Sequence, residues 1–150
     1  MKILNFCLAA LCLAWLPAHA AHNCSVDVEG QPGKKFSPDR IVVPAACESF
    51  TVRLVHVGHN SKMKAGHNWV LTRPQETDAI MRDGIQAGAE NDWLKPGDTR
   101  VLAKTPMLGG QETATVTFPV AALTAGQPYT YFCSFPAHAA QMRGTLVVGD

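Results

Sequence analysis

The sequence predicts an all-β sandwich of about eight short strands, with one short helix near residues 74–88. Three observations carry that expectation. Polar and apolar residues alternate through Ser25–Glu29, Ser49–Val57 and Glu112–Phe118, as half-buried strands require. Pro and Gly punctuate the chain at short intervals, at Gln31-Pro32-Gly33 and Lys95-Pro96-Gly97 for example, where a two-layer β fold needs its turns. Between Pro74 and Gly88, by contrast, Ala79, Ile80, Met81 and Ile85 fall near helical spacing.

Met1-Lys2 is followed by a mostly apolar run, Ile3–Leu16, and by Pro17-Ala18-His19-Ala20. A charged start, an apolar run and an Ala-x-Ala end form the pattern of an export signal, cut after Ala20. The run falls short of the about 20 apolar residues that span a bilayer, so no membrane anchor is expected. Cys24 comes too late for a lipid-modified start, and Cys12 follows Leu11 rather than a small residue. Residues 21–150 then form a single domain, because about 130 residues suffice for one core and no repeat, low-complexity segment or linker divides them. Removing Lys2 from the 13 Lys and Arg leaves 12, which balance the 12 Asp and Glu. A charge near zero gives no basic field for nucleic acid or an anionic membrane.

The first strand, Ser25–Glu29, ends at the Gln31-Pro32-Gly33 turn; a second, Arg40–Val43, ends at Pro44. In Ser49–Val57 residues Phe50, Val52, Leu54 and His56 share one face, so His56 points toward the core. A histidine there is ordinarily satisfied by hydrogen bonds. His59–Ala65 is polar and loop-like. In Gly66–Leu71 the residues His67, Trp69 and Leu71 alternate onto one face, where Trp69 helps to fill the core. Pro74 suits a first helical turn, Gly84 or Gly88 its end, and Met81 the packed face. Asp92–Asp98 is loop. Strands resume at Arg100–Ala103, Glu112–Phe118, Pro128–Cys133 and Arg143–Val148.

Of the five cysteines, Cys7 and Cys12 lie within the signal; Cys24, Cys47 and Cys133 remain. An odd number in an exported chain means one pair and one thiol with another use. Pairing Cys24 with Cys47 leaves Cys133 free, whereas pairing Cys133 with either is the competing arrangement.

Cys133, His138 and Met142 leave one short segment, Tyr131–Met142, where a strand breaks into a Pro-containing loop. A thiolate, an imidazole and a thioether are a ligand set for a soft transition metal. Two His and one Cys with a long axial Met make a copper electron-transfer arrangement, because sulfur ligands favour Cu(I) and imidazole suits both oxidation states. One imidazole is missing from the segment. His67, inward-facing at the end of a strand, is the best candidate; His22 lies near the N-terminus and His59 in a polar loop.

Cys24-Ser25-Val26-Asp27, Gly66-His67-Asn68-Trp69-Val70-Leu71, Asp92-Trp93-Leu94-Lys95-Pro96, and Phe132-Cys133-Ser134-Phe135-Pro136 with His138, Met142 and Gly144-Thr145-Leu146 resemble the azurins, bacterial type 1 (blue) copper proteins of the cupredoxin family. The likeness runs from Cys24 to about Val148. Its distinguishing part is Cys-x4-His-x3-Met, since plastocyanins and amicyanins space these ligands more tightly.

The resemblance implies a Greek-key sandwich or barrel. It also implies a soluble periplasmic carrier, not an enzyme, that moves single electrons through one copper ion cycling between Cu(I) and Cu(II). His67, Cys133 and His138 would hold the copper in a plane, Met142 would be a weak axial ligand, and the backbone carbonyl of Gly66 would approach from the opposite side. Cys24 and Cys47 match the family's disulfide. Asn68 would tie the His67 segment to the Cys133 loop through Ser134, and the backbone N–H groups of Asn68 and Phe135 would bond the sulfur. The implied partners are redox proteins, a c-type cytochrome as donor and a periplasmic reductase or peroxidase as acceptor, met by a monomer.

The sequence departs from the family in places. Ala137 precedes His138 where Gly is usual, and Lys34, Asn60 and Ala65 stand where apolar side chains ring the docking patch. Phe135, Pro136, Ala137 and Ile85 keep part of that patch, while Lys34 adds a positive rim, so docking is expected to depend more on charge than is usual in the family. His56 matches a histidine beside the family's site.

The same residues fit other chemistries. An exported thiol hydrolase would use Cys133 as nucleophile, His138 or His67 as base and Asn68 as orienter; the axial Met has no place in it. A copper storage or delivery protein would share the ligands but surrender the metal readily. Zinc is the poorer fit, because Met is a poor zinc ligand.

Overall fold

The computed structural model describes residues 23–149. The expected signal over residues 1–20, its two cysteines and His22 lie outside the described residues. The described chain runs through nine strands: β1 (Ser25–Gln31), β2 (Lys35–Ser37), β3 (Arg40–Pro44), β4 (Ser49–His56), β5 (Val70–Thr72), β6 (Ala103–Lys104), β7 (Thr113–Pro119), β8 (Pro128–Phe132) and β9 (Arg143–Gly149). Two helices interrupt them, α1 (Lys62–Ala65) and α2 (Thr77–Ala87).

The strands form two sheets, ordered β2-β1-β4-β7 and β3-β9-β8-β5-β6. Within them β1 pairs with β4 and β3 with β9 in parallel, and the other pairs are antiparallel. Because the chain crosses repeatedly between the layers, as Greek-key connections do, each sheet is assembled from distant segments. The alternation in the sequence is what fills the space between them. Phe50, Val52, Leu54 and His56 are the buried residues of β4, and Val28, Tyr131, Leu146 and Val148 face them from other strands. Trp69 is wholly buried and stacks with Phe118 and with Tyr131, with centroids 6.2 and 5.5 Å away. A disulfide joins Cys24, at the head of β1, to Cys47, before β4, across 23 residues. Closing such a loop contributes roughly 3 kcal/mol on the chain-entropy model.

α2 covers the outer face of the second sheet. Its buried stripe is Thr77, Ile80 and Gly84, at helical spacing, and Ile80 packs with Val70, Leu94, Phe132 and Ala139 in a second apolar cluster. Residues 66–72 are therefore buried on both faces, and not on the His67 face alone. Pro74 begins a 3-10 turn that leads into the helix, and Gly88, at φ +81°, ends it with its N–H on the Gly84 carbonyl. Gly84 sits inside α2 because a Cβ there would collide with the Trp93 carbonyl.

Several local expectations are corrected. β2 is too short to show alternation and was invisible as a pattern. The polar segment before Gly66 contains the single turn α1. The strand expected at Arg100–Ala103 is reduced to Ala103–Lys104, because Arg100 instead turns to bond Asp98 and Asp83. Ile85 stands one residue beyond the buried stripe of α2 and is 55 % exposed.

Candidate metal centre

Two scaffolds meet at one end of the sandwich. The His67 backbone is fixed by a two-way bridge to Leu108, its N–H donating to the Leu108 carbonyl and its carbonyl accepting from the Leu108 N–H at 3.0 and 2.8 Å. Cys133 directly follows β8, which pairs with β5 through Val70 and Phe132, so the two segments leave adjacent strands. The loop after Cys133 folds back on itself: the Cys133 N–H donates to the Met142 carbonyl, and the His138 carbonyl accepts from the Met142 N–H at 2.8 Å. That closure brings Cys, His and Met, spaced along one loop, to one point.

At that point Cys133 Sγ lies 3.9 Å from His67 Nδ1 and 3.6 Å from His138 Nδ1. One donor atom from each of the three residues lies within 4.8 Å of the others. The Gly66 carbonyl oxygen is 3.7 Å from the sulfur. Met142 is completely buried, and its terminal methyl shares a wall with the His67 ring against Gly30. A Cβ at Gly30 would lie 2.9 Å from His67 Cδ2 and 3.3 Å from Met142 Cε, so only a glycine lets β1 pass this close.

Burial sets the protonation states. It pushes the His67 imidazole down to about 4, with His56 and His138 adding to the effect. The His138 imidazole likewise falls to about 4, through burial and then the nearby charge of Lys34. Both rings are thus neutral near pH 7 and present lone pairs. The Cys133 thiol moves the other way, up to about 11, because burial outweighs the backbone N–H groups of Asn68 and Phe135 that bond its sulfur. Two neutral imidazoles, a thiol with stabilising N–H donors already aimed at it, and a thioether form a buried soft-donor cradle that suits copper. A nucleophilic cysteine needs the opposite, a lowered pKa and access to substrate; Cys133 is fully buried.

A second layer holds the cradle rigid. Asn68 Nδ2 donates to Ser134 Oγ at 2.8 Å, while the Ser134 N–H donates to Asn68 Oδ1 at 2.9 Å. Ser134 Oγ in turn donates to the Asp92 carbonyl at 2.7 Å. His56 lies flat on His67, with centroids 4.2 Å apart. The Gly58 N–H donates to His56 Nδ1, which leaves Nε2 to carry the proton and donate to the Ala65 carbonyl at 3.0 Å. His56 is therefore the hydrogen-bonded core histidine that its strand position suggested.

Of the residues singled out for docking, Ala137 is exposed, and Pro136, Phe135 and Lys34 are half-buried. Lys34 Nζ reaches the Ala137 carbonyl at 3.5 Å, across 103 residues of sequence. Sequence reasoning missed Gly30, the Asp92 carbonyl and Thr105, whose buried Oγ1 accepts from the Trp69 N–H at 3.0 Å. Only the turn-rich surroundings of Asp92 hinted at any of them.

A family model described as copper binding proteins, plastocyanin/azurin family, matches residues 22–149. The chain is 49% identical over 141 residues to an azurin of Bordetella pertussis, a match covering 94% of each chain. An azurin of Achromobacter denitrificans is 46% identical over 140 residues, 93% of each. Among solved structures, the azurin Az-iso2 of Methylomonas sp. strain J superposes with a TM-score of 0.81 at 43% identity, covering 86% of this chain and all of the other.

Proposed function

The chain belongs to the plastocyanin/azurin family of copper binding proteins, and from that premise we propose that it is a soluble periplasmic electron carrier, not an enzyme. The observation that carries this reading is the convergence of His67, Cys133 and His138 in a buried pocket beside Met142. His67 and His138 would ligate through Nδ1 and Cys133 as thiolate, with Met142 and the Gly66 carbonyl as weaker donors. Copper bound there supplies the one-electron Cu(I)/Cu(II) couple. The residues do the rest. Rigid anchoring by Leu108, Asn68 and Ser134 resists ligand movement, which would otherwise add to the barrier for electron transfer. The N–H donors of Asn68 and Phe135 tune the sulfur.

The charged start, apolar run and Ala-x-Ala end of residues 1–20, the sequence pattern of an export signal, support a periplasmic location. Among the described residues no helix is long and apolar enough to cross a membrane. The partners proposed are a c-type cytochrome donor and a periplasmic reductase or peroxidase acceptor, met by the monomer at the loop Phe135–Ala137, whose Ala137 is exposed. The test is a visible spectrum after one equivalent of Cu(II). An intense blue thiolate-to-copper band, bleached reversibly by ascorbate and absent in Cys133→Ser, is the expected result; a colourless or pale product would refute the carrier.

A further inference from the structure

Beside the metal centre a cavity of about 530 Å³ opens between the turn Gln31–Lys34 and residues 57–60, with His56, His67 and His138 on its wall. No carboxylate lines it. Lys34 is its one lysine or arginine, and it is posed: its backbone sits at φ +61°, and one ammonium donor goes to the Ala137 carbonyl. An ammonium has three donors. Among the described residues no acidic side chain pairs with Lys34, although Arg53, Lys62 and Arg100 each have such a partner. Asn60, which also lines the cavity, adds an amide that can donate to an anion. The rim toward Phe135, Pro136 and Ala137 is apolar and accessible. A half-buried, unneutralised cation in a cavity free of acids, next to an apolar rim, is complementary to a carboxylate carried on a protein surface.

We propose that this cavity receives an aspartate or glutamate side chain of the redox partner, which pairs with Lys34 and seats the partner over the His138 edge of the centre. The proposal rests on the carrier reading above. A carboxylate on a protein, rather than a free anion, uses both the cation and the apolar rim. Lys34 thereby selects acidic partners and sets their docking register.

The test is stopped-flow electron exchange between the copper-loaded protein and an acidic c-type cytochrome, over a range of ionic strength. Lys34→Gln should lower the low-salt rate constant about two- to fivefold and flatten its salt dependence. Lys35→Gln removes the same charge from an exposed strand position outside the cavity and should have a clearly smaller effect. Sodium acetate at constant ionic strength should compete with the cytochrome for the wild-type protein. Equal effects of the two variants would mean long-range steering only, and competition by phosphate but not acetate would mean a free-ion site; either overturns the proposal. Exchange with uncharged ferrocenemethanol reports separately on the carrier: failure of the wild-type protein there would overturn both readings, whereas success there with no effect of Lys34→Gln overturns the docking pocket alone.

Discussion

Asn68 and Ser134 lie 66 residues apart and hold each other through two hydrogen bonds of opposite sense, at 2.8 and 2.9 Å. The pair links the segment carrying His67 to the loop carrying Cys133, so the distance between those two donors depends on it. Both residues are buried, and water cannot replace a lost partner.

Asn68→Leu removes the acceptor of the Ser134 N–H and the donor to its hydroxyl. The copper-free protein should lose about 1–3 kcal/mol, the cost of a buried unsatisfied polar group. Urea unfolding followed by fluorescence measures it. The loaded protein should also show a shifted blue band, since the sulfur is no longer held against its N–H donors; an unchanged band with unchanged stability would show that the clamp does not position the centre.

Gly30→Ala places a Cβ 2.9 Å from His67 Cδ2 and 3.3 Å from Met142 Cε. One of those side chains must move, at a cost of about 1–3 kcal/mol for an overpacked interior. Weaker copper retention against a chelator is the expected outcome. Gly149→Ala, where a Cβ would meet nothing within 4 Å, serves as the neutral comparison.

Ala137 has φ +61°, in the left-handed region that penalises a Cβ. Such a conformation costs about 1–2 kcal/mol in a non-glycine residue, of which the greater unfolded-chain freedom of glycine cancels about half. Ala137→Gly should therefore stabilise the copper-free protein by about 0.5–1 kcal/mol, read as a higher urea midpoint. A lower midpoint would show that the Lys34 contact to the Ala137 carbonyl depends on that Cβ.

Copper uptake should release close to one proton per metal at pH 7. The imidazoles of His67 and His138, held near 4, are already neutral, whereas the Cys133 thiol, near 11, must lose its proton. Below about pH 4 the number should rise toward three. A pH-indicator titration counts them, and a value near three at pH 7 would contradict the burial of both histidines. The same shifts fix the sign for folding of the copper-free protein: the unfolded histidines, near 6.5, take up protons before the folded ones, so stability falls as pH drops from about 6.5 toward about 4 and levels off below.

Much of this was legible in one dimension because it is periodic or local. Alternation in Ser25–Glu29 and Ser49–Val57 records which side chains face the core, whatever the partner strand is. Cys133, His138 and Met142 share one loop, so their spacing alone announces a soft-metal ligand set, and the resemblance to the azurins named the rest of the set. The helix expected within 74–88 showed itself by its change of period; of the two glycines offered as its end Gly88 caps it and Gly84 lies inside it, while Pro74 opens a 3-10 turn and α2 itself begins at Thr77.

What the chain could not reveal in one dimension are relationships between groups far apart in it. Gly30 looks like any turn-adjacent glycine until β1 is laid against the His67 ring. The Asp92 carbonyl has no side-chain signal at all, and Thr105 shows its use only when the Trp69 N–H arrives beside it. Lys34 read as a charge on a rim; the fold makes it the one unpaired ammonium of a cavity, tethered to Ala137 over 103 residues. The sequence determined the ligand types and the alternating core, because those depend on residue chemistry and neighbours within a few positions. The tertiary structure alone decided the depth of burial, and with it the neutral imidazoles, the protonated thiol of the copper-free state and the shape of the cavity beside Lys34, because desolvation and long-range contact arise only when distant segments exclude water together.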